Sequence, residues 1–189
     1  MTWRNGETYA LLGPSGCGKS TMLNIISGLI QPSHGRVLFD GEDVTTRGTA
    51  ARNIAQVFQV PVIYRSMTVR QNLAFPLVCR RRQRVEIDRR VGDVAELLGL
   101  EHVLNRPAVA LTADQKQLVS LGRGLVRDDV SALLLDEPLT VIDPQLKFEL
   151  RRKLKAVNQA FNITMVLVTH DQNEALTFAR SIIVMNHGE

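Results

Sequence analysis

The sequence predicts an α/β fold built on a mostly parallel sheet. Short apolar runs with strand character alternate along the chain with longer segments of helical periodicity, and this alternation is typical of a parallel sheet covered by helices on both faces. The chain has 189 residues, enough to bury one substantial core. Apolar residues make up 44% and charged residues 22%, which excludes disordered and fibrous classes. We therefore expect one domain over residues 1–189, with a smaller subdomain inserted in it.

The first part of the chain carries clear strand, turn and helix signals. The expected elements are a strand at 9–12, a helix from 19 to about 29, a strand at 37–39 with a hairpin turn at Asp40-Gly41, and a strand at 54–58.

The middle of the chain is predicted to be helical. Residues 68 to about 100 have helical periodicity that Pro76 interrupts, and Val91, Val94, Ala95, Leu97 and Leu98 form one apolar stripe. We expect an inserted helical subdomain at about 68–127. Beyond it, the expected elements are a helix from about 112, a strand at 132–135, a helix from about 144, a strand at 163–168, a helix from about 172 and a strand from 182.

Membrane-spanning and disulfide-rich classes do not fit the sequence. Its apolar runs are shorter than the roughly eighteen residues that span a bilayer, and the N-terminus lacks a secretory signal pattern. Cys17 and Cys79 are too few for a disulfide framework and lack metal-ligand spacing. We expect a soluble protein in a reducing compartment.

The formal net charge of +4 is concentrated in one stretch. Residues 78–90 hold six arginines against Glu86 and Asp88, and the rest of the chain sums to zero. Such a run is a solvated helix face or a contact with an anionic membrane surface or polyanion. The charge alone does not identify a partner.

The stretch GPSGCGKS at Gly13–Ser20 matches the phosphate-binding pattern G-x-x-x-x-G-K-[ST] between a strand and a helix. Its glycines let backbone N–H groups surround a phosphate, the helix N-terminus favours the same anion, and Lys19 neutralises the terminal phosphates. The alternative is a glycine-rich turn that only precedes a helix. The residues expected to contact nucleotide are Gly13, Pro14, Ser15, Gly16, Cys17, Gly18, Lys19, Ser20 and Thr21.

Polar side chains end three of the expected strands. Asp136 and Glu137 follow ALLL, His170 follows VLVT, and Gln59 closes AQVF. The carboxyl ends of parallel strands meet at one sheet edge, where ligands bind. We expect Ser20 and Asp136 to hold Mg²⁺, and Glu137, with His170, to act in hydrolysis, while Gln59 fits the same edge. In isolation, the acidic pair would be a solvated turn and the histidine structural.

Together these motifs make the chain resemble the nucleotide-binding subunits of ABC transporters. The family's Walker A motif resembles Gly13–Ser20, its Q-loop glutamine Gln59, its Walker B pair Asp136-Glu137 and its switch histidine His170. Its D-loop aspartate is similar to Asp143 in LTVID. The resemblance implies that Gln59 takes part in holding Mg²⁺ and in hydrolysis. The stretches LTADQKQ and DEPLTVIDP most resemble those of ATPases of bacterial importers for carbohydrates, glycerol, glycerol phosphate and related polyols.

The resemblance implies a fold, a reaction and partners. The fold is that of a P-loop NTPase with an inserted helical subdomain, and two such subunits enclose two ATP molecules with Mg²⁺. Hydrolysis drives transmembrane permease subunits, which a periplasmic solute-binding protein supplies, and nucleic acid is not a partner. The subunit would lie peripherally on the cytoplasmic face of the inner membrane.

The signature that contacts the second subunit's ATP departs from the family's LSGGQ. Here it reads LTADQ, with Leu111, Thr112, Ala113, Asp114 and Gln115. A carboxylate at Asp114 opposes the phosphate charge if it faces the nucleotide, and it stabilises the first helical turn if it turns away. We therefore consider pairing with a different ATPase subunit that has an intact signature, as well as a homodimer.

Two further departures concern the ends of the chain. The family's first antiparallel strands, which carry an aromatic residue that stacks on adenine, would lie upstream of Met1, and a C-terminal regulatory domain would follow Glu189. We expect neither here. The alternatives are a non-transport ABC ATPase of the DNA-repair or chromosome type and a degenerate ATP-binding subunit with little turnover.

Overall fold

A computed structural model describes residues 1–127, 129–140 and 142–188. Asp128, Val141 within the stretch LTVID, and the terminal Glu189 lie outside the described residues. The chain divides into two compact units. The first comprises Met1–Gln56, Asp129–Glu137 and Lys155–Glu189, and the second comprises Val57–Asp128 and Pro138–Leu154.

The first unit is organised around a five-stranded sheet. In spatial order its strands are β4 (Ile54–Val57), β5 (Ala132–Asp136), β6 (Thr164–Thr169), β1 (Thr8–Leu12) and β7 (Ser181–Val184). The pairs β5–β6, β6–β1 and β1–β7 are parallel. The predicted α/β class with a mostly parallel sheet is therefore confirmed.

The hairpin and two helices of the first unit fall close to their predicted places: α1 (Lys19–Ser27), the hairpin strands β2 (Leu38–Phe39) and β3 (Glu42–Asp43), and α7 (Gln172–Phe178). The short helix α2 (Thr49–Arg52) was not predicted. Asp40 and Gly41 have positive φ, at 49° and 84°, as a two-residue hairpin turn requires. The predicted hairpin is confirmed.

The core of the first unit lies around the central strands. Every residue of β6 is buried and its four central residues, Met165–Val168, are apolar, as expected for a strand covered on both faces. Leu11, Leu23, Leu134 and Val166 are fully buried in one cluster. The register pairs Leu12 with Thr169 and Asp136 with Val168, so these three strands end at the same sheet edge.

The second unit consists mainly of helices. They are α3 (Val69–Cys79), α4 (Arg84–Leu98), α5 (Ala113–Leu125) and the first part of α6 (Pro144–Phe161), with two 3₁₀ turns at Glu101–Val103 and Ala108–Ala110. Gly122 of α5 faces both neighbouring helices, since a Cβ there would lie 2.5 Å from Leu73 Cδ2, 3.0 Å from Leu98 Cδ1 and 3.2 Å from Val94 Cγ1. Absence of a side chain at Gly122 lets these helices pack closely.

One prediction for this region is wrong in detail. Pro76 does not interrupt the helix but lies inside α3, which ends at Cys79. The buried side chains of Leu73 and Leu77 hold the helix on either side of the proline, while the missing proline N–H removes one backbone hydrogen bond. The break comes instead at Arg80–Gln83, before α4.

The arginine-rich run 78–90 is only partly a solvated face. Five of its arginines are exposed, but Arg90 is buried. The Arg90 side chain donates to the carbonyl oxygens of Leu125 and Val126 at 3.0 and 3.1 Å. Because the last carbonyls of a helix lack intrahelical partners, Arg90 satisfies the end of α5.

Helices long and apolar enough to cross a bilayer are not found in the part of the chain that the structure describes.

Candidate functional site

The segment between β1 and α1 forms a loop suited to bind an anion. Gly16 and Gly18 have φ values of 81° and 103°, which residues other than glycine rarely adopt. Gly18 is the N-cap of α1, and no described side chain caps this end of the helix. The first hydrogen bond of the helix runs from the Met22 N–H to the Gly18 carbonyl. The N–H groups of the first turn therefore remain available for an anion.

Lys19 folds back across this loop. Its Nζ donates to the carbonyl oxygens of Gly13 and Pro14, both at 2.8 Å, and the residue is only 5% exposed. A Cβ at Gly13 would lie 2.8 Å from Cys17 Sγ and 2.3 Å from the Met185 carbonyl oxygen. Only glycine fits at position 13 without a shift of its neighbours. The hydrogen bonds of Lys19 hold its ammonium group beside the loop.

Ser20 and Asp136 meet at the edge of the sheet. Ser20 Oγ donates to Asp136 Oδ1 at 3.0 Å, which joins the first turn of α1 to the end of β5. Burial raises the pKa of Asp136; the Ser20 hydrogen bond opposes this, Glu137 adds to it, and Lys19 again opposes it. Burial disfavours the ionised form of this carboxylate, and a nearby cation would stabilise that form.

These two oxygen groups fit a magnesium ion that also binds phosphate and water. Mg²⁺ usually takes only one or two protein ligands and keeps several waters. Among the described residues there is no group of three or more His, Cys, Asp or Glu side chains that could hold a metal by itself. The Ser20 hydroxyl and the Asp136 carboxylate match the one or two oxygen ligands that a protein usually gives Mg²⁺.

Glu137 and His170 follow β5 and β6 and lie against each other. His170 Nδ1 is 3.3 Å from Glu137 Oε2. The Glu137 backbone has a φ of 45°, and its N–H donates to the Val168 carbonyl at 3.1 Å. The Glu137 side chain is mostly buried, whereas that of His170 is 61% exposed. The carboxylate is thus oriented while the imidazole remains accessible.

Sequence reasoning missed the residues that support His170. Asp171 caps α7 by accepting from the N–H groups of Asn173 and Glu174. Thr169 Oγ1 donates to the buried Glu174 carboxylate at 2.7 Å and accepts from the Asp171 N–H. The spacing D-x-x-E directly after a strand is a helix-start signal that could have indicated this arrangement.

The remaining candidates belong to the second unit. Gln59 is exposed and follows β4 by two residues. Thr112 and Gln115 form a capping box at the start of α5: each side chain accepts from the other residue's N–H, at 3.3 and 3.2 Å. The LTADQ stretch is therefore a well-formed helix start with Asp114 in its first turn.

Asp143 starts a helix as well. Its Oδ1 accepts from the Gln145 N–H at 2.9 Å, just before α6, and its side chain is exposed. The structure thus assembles the phosphate loop with Ser20, Asp136, Glu137 and His170 in the first unit, and it places Gln59, the LTADQ stretch and Asp143 in the second.

The chain matches one protein family and resembles proteins about twice its length. Residues 1–140 match the model of the family described as "ABC transporter". The chain is 45% identical over 191 residues to the trehalose/maltose import ATP-binding protein MalK of Thermococcus litoralis. It is 44% identical over 188 residues to the sn-glycerol-3-phosphate import ATP-binding protein UgpC 1 of Rhizobium etli. These matches cover 98% and 100% of this chain but 51% and 54% of the relatives, so the chain spans about half their length.

Solved structures share the fold over almost the whole chain. CbiO1 of Clostridium perfringens, part of the ABC transporter complex CbiONQ, superimposes with a TM-score of 0.88 at 31% identity, covering 100% of this chain and 76% of that one. The ADP conformation of MJ1267, an ATP-binding cassette of an ABC transporter, gives a TM-score of 0.80 at 28% identity, covering 97% and 78%.

Proposed function

The chain belongs to the ABC transporter family, and from this membership we propose that it binds and hydrolyses ATP as the nucleotide-binding subunit of an importer. The single observation that carries the proposal is the Ser20–Asp136 hydrogen bond, 3.0 Å long, beside an uncapped helix N-terminus. It joins a phosphate-binding loop to a metal-binding carboxylate in one site.

ATP binding uses the loop first. The N–H groups at the start of α1 receive the phosphates, and Lys19 exchanges its contacts with the Gly13 and Pro14 carbonyls for phosphate oxygens. Ser20 and Asp136 hold Mg²⁺, which neutralises charge on the phosphates when bound. Asp136 is well suited to this role because its carboxylate is buried.

Hydrolysis depends on Glu137 and His170. Phosphoryl transfer to water requires charge neutralisation and a group that orients or deprotonates the water. Glu137 takes the role of base, and His170 holds its carboxylate in place from 3.3 Å away while reaching toward the terminal phosphate.

Coupling to a permease is supported by the segment after Gln59. Val60 and Val62 are 73% and 49% exposed, although both are apolar. The Val62 N–H donates to Ser120 Oγ at 3.1 Å, and the Tyr64 ring lies 4.6 Å from both the Phe75 ring centroid and the Arg123 guanidinium carbon. Apolar side chains held outward by such contacts suit a protein partner. We assign this partner as the transmembrane permease at the cytoplasmic face of the inner membrane.

Two relatives support a class of solute. Their names specify import of trehalose/maltose and of sn-glycerol-3-phosphate. We propose a carbohydrate or polyol, such as glycerol or glycerol phosphate, as the solute, with a periplasmic solute-binding protein delivering it to the permease.

Glu137→Gln tests hydrolysis separately from binding. We expect the variant to bind MgATP as the wild type does and to lose at least about a hundredfold in turnover, because an amide cannot accept the proton. Glu96→Gln is the matched control, since Glu96 is an exposed carboxylate of α4 outside the candidate site. Unchanged turnover in Glu137→Gln would instead indicate a degenerate ATP-binding subunit.

A further inference from the structure

The chain that follows β7 lies against the phosphate loop. We call Met185–Gly188 the backing segment. It is far from the loop in sequence, yet it contacts two loop residues, Gly13 and Cys17, and lies beside Gly18. No sequence pattern in MNHG predicts these contacts.

Met185 fixes the first half of the loop. Its N–H donates to the Leu12 carbonyl at 2.8 Å, which continues the β1–β7 ladder to the end of β1. Its carbonyl oxygen would lie 2.3 Å from a Cβ at Gly13, so the two backbones are in direct contact. The Met185 side chain is 7% exposed and packs in the same buried cluster as Cys17.

Gly188 fixes the second half. Its N–H donates to the Cys17 carbonyl at 3.1 Å. His187 and Gly188 have φ values of 49° and 90°, and two consecutive positive angles make the tight reversal that turns this N–H back toward the loop.

The hydrogen bond to Cys17 has a consequence for the anion site. The Cys17 carbonyl and the Gly18 N–H belong to one planar peptide group, in which the two bonds point in opposite directions. A donor that holds the carbonyl on the outside of the loop therefore holds the Gly18 N–H toward its inside. Gly18 is the N-cap of α1, where an anion would bind.

We propose that the backing segment positions the phosphate loop for nucleotide, with Gly188 orienting the Gly18 N–H and Met185 supporting Gly13. This inference rests on the proposed ATP binding at the same site. Because linkage is reciprocal, phosphate that orders the loop also orders the backing segment. The order of the backing segment therefore depends on whether phosphate is bound in the loop.

Two variants at Gly188 separate backbone conformation from other effects. Valine strongly disfavours positive φ, whereas asparagine tolerates it better, and both keep the N–H donor. No described atom lies within 4 Å of the Cβ position at Gly188, apart from its chain neighbours, so steric clash does not confuse the comparison. We expect Gly188→Val to weaken MgATP and MgADP binding by about fivefold or more, and Gly188→Asn to restore affinity to within about twofold of wild type.

A matched control exists in the same unit. Gly35 has a φ of 85° and equally open space at its Cβ position. We expect Gly35→Val to lower the melting temperature by as much as Gly188→Val while leaving MgADP affinity unchanged. Equal losses of affinity in both valine variants, or none in Gly188→Val, would overturn the positioning role.

Hydrogen exchange on the wild-type chain gives a second readout that needs no variant. Saturating MgADP is expected to slow exchange of the Gly188 amide, while the Val44 amide, which donates to the Val37 carbonyl in the hairpin region, stays unchanged. An unaltered Gly188 rate in protein that binds MgADP overturns the inference and leaves the proposed function standing. A wild-type chain that binds no nucleotide overturns both.

Discussion

His170 Nδ1 lies 3.3 Å from Glu137 Oε2, and this contact links the ends of two neighbouring parallel strands. The same two ends are joined by the backbone hydrogen bond from Glu137 to Val168. Glu137 is therefore held by both its backbone and its side chain. The proposed role of Glu137 as a base toward one water molecule benefits from such a fixed orientation.

Substituting His170 by alanine should reduce turnover more than binding. The variant loses the group that orients the Glu137 carboxylate, so we expect ATP hydrolysis to fall by at least about tenfold, with MgATP affinity within about twofold of wild type. Steady-state kinetics and calorimetry measure the two quantities. His102→Ala, at an exposed histidine of the second unit, is the control. A variant that loses binding and turnover in equal proportion contradicts the orienting role.

Asp136 should make stability depend on pH. Burial raises its pKa above the ordinary 3.8, with Ser20 and Lys19 opposing and Glu137 reinforcing the rise. Between 3.8 and the folded-state pKa, the folded protein binds more protons than the unfolded chain, so the free energy of unfolding falls as pH rises through this window. Asp136→Asn removes this loss. Above the window, its nucleotide-free melting temperature should exceed that of wild type, and the difference should vanish below pH 3.8.

The pKa of Asp43 is shifted in the opposite direction to that of Asp136. Hydrogen bonds from Thr45 lower its pKa below 3.8, so its ionised form contributes stability that is present above pH 3.8 and lost as pH falls through the folded-state pKa. Asp43→Asn should therefore lower the melting temperature at neutral pH. Thermal melts of both variants across pH measure this, and shifts of the same sign would contradict the assignment.

Gly122 and Gly92 form a matched pair in the second unit. A Cβ at Gly122 would lie 2.5 Å from Leu73 Cδ2, whereas that at Gly92 meets nothing within 4 Å among the described atoms considered. Gly122→Ala should destabilise by about 1–3 kcal/mol through overpacking. Gly92→Ala, inside α4, should stabilise by about 1 kcal/mol through helix propensity. Denaturant unfolding measures both, and a stabilising Gly122→Ala would contradict the packing described for α5.

The LTADQ stretch leads to a prediction about the rate of ATP hydrolysis. Asp114 lies in the first turn of α5, beside the Thr112–Gln115 capping box. If its carboxylate slows ATP hydrolysis across a dimer, Ala113→Gly with Asp114→Gly should raise the turnover of the purified chain. Ala113→Gly alone serves as the control, because it weakens the helix without removing the charge. Equal rates in all three proteins would show that Asp114 does not limit hydrolysis.

Local sequence signals were sufficient for the strands and for the phosphate loop. β1, β5 and β6 begin and end within one residue of the predicted bounds, because each is an apolar run that ends in glycine or a polar residue. Gly13–Ser20 could be located because the loop, the strand before it and the helix after it are contiguous in sequence.

Contacts between distant parts of the chain could not be predicted in the same way. Arg90 has the same charge and charged neighbours as the exposed arginines before it, and its burial depends on the end of α5. Met185 and Gly188 reach the phosphate loop only because β7 is aligned beside β1. Pro76 stays helical because its flanking leucines are buried, which the proline itself does not reveal.

Calorimetric titration of the nucleotide-free chain with ATP, with and without Mg²⁺, tests the central claim most directly. We predict binding that Mg²⁺ strengthens in the wild type, that Lys19→Ala weakens by at least about tenfold, and that loses its Mg²⁺ dependence in Ser20→Ala. Folded wild-type protein that binds no ATP in the presence of Mg²⁺ would contradict the account.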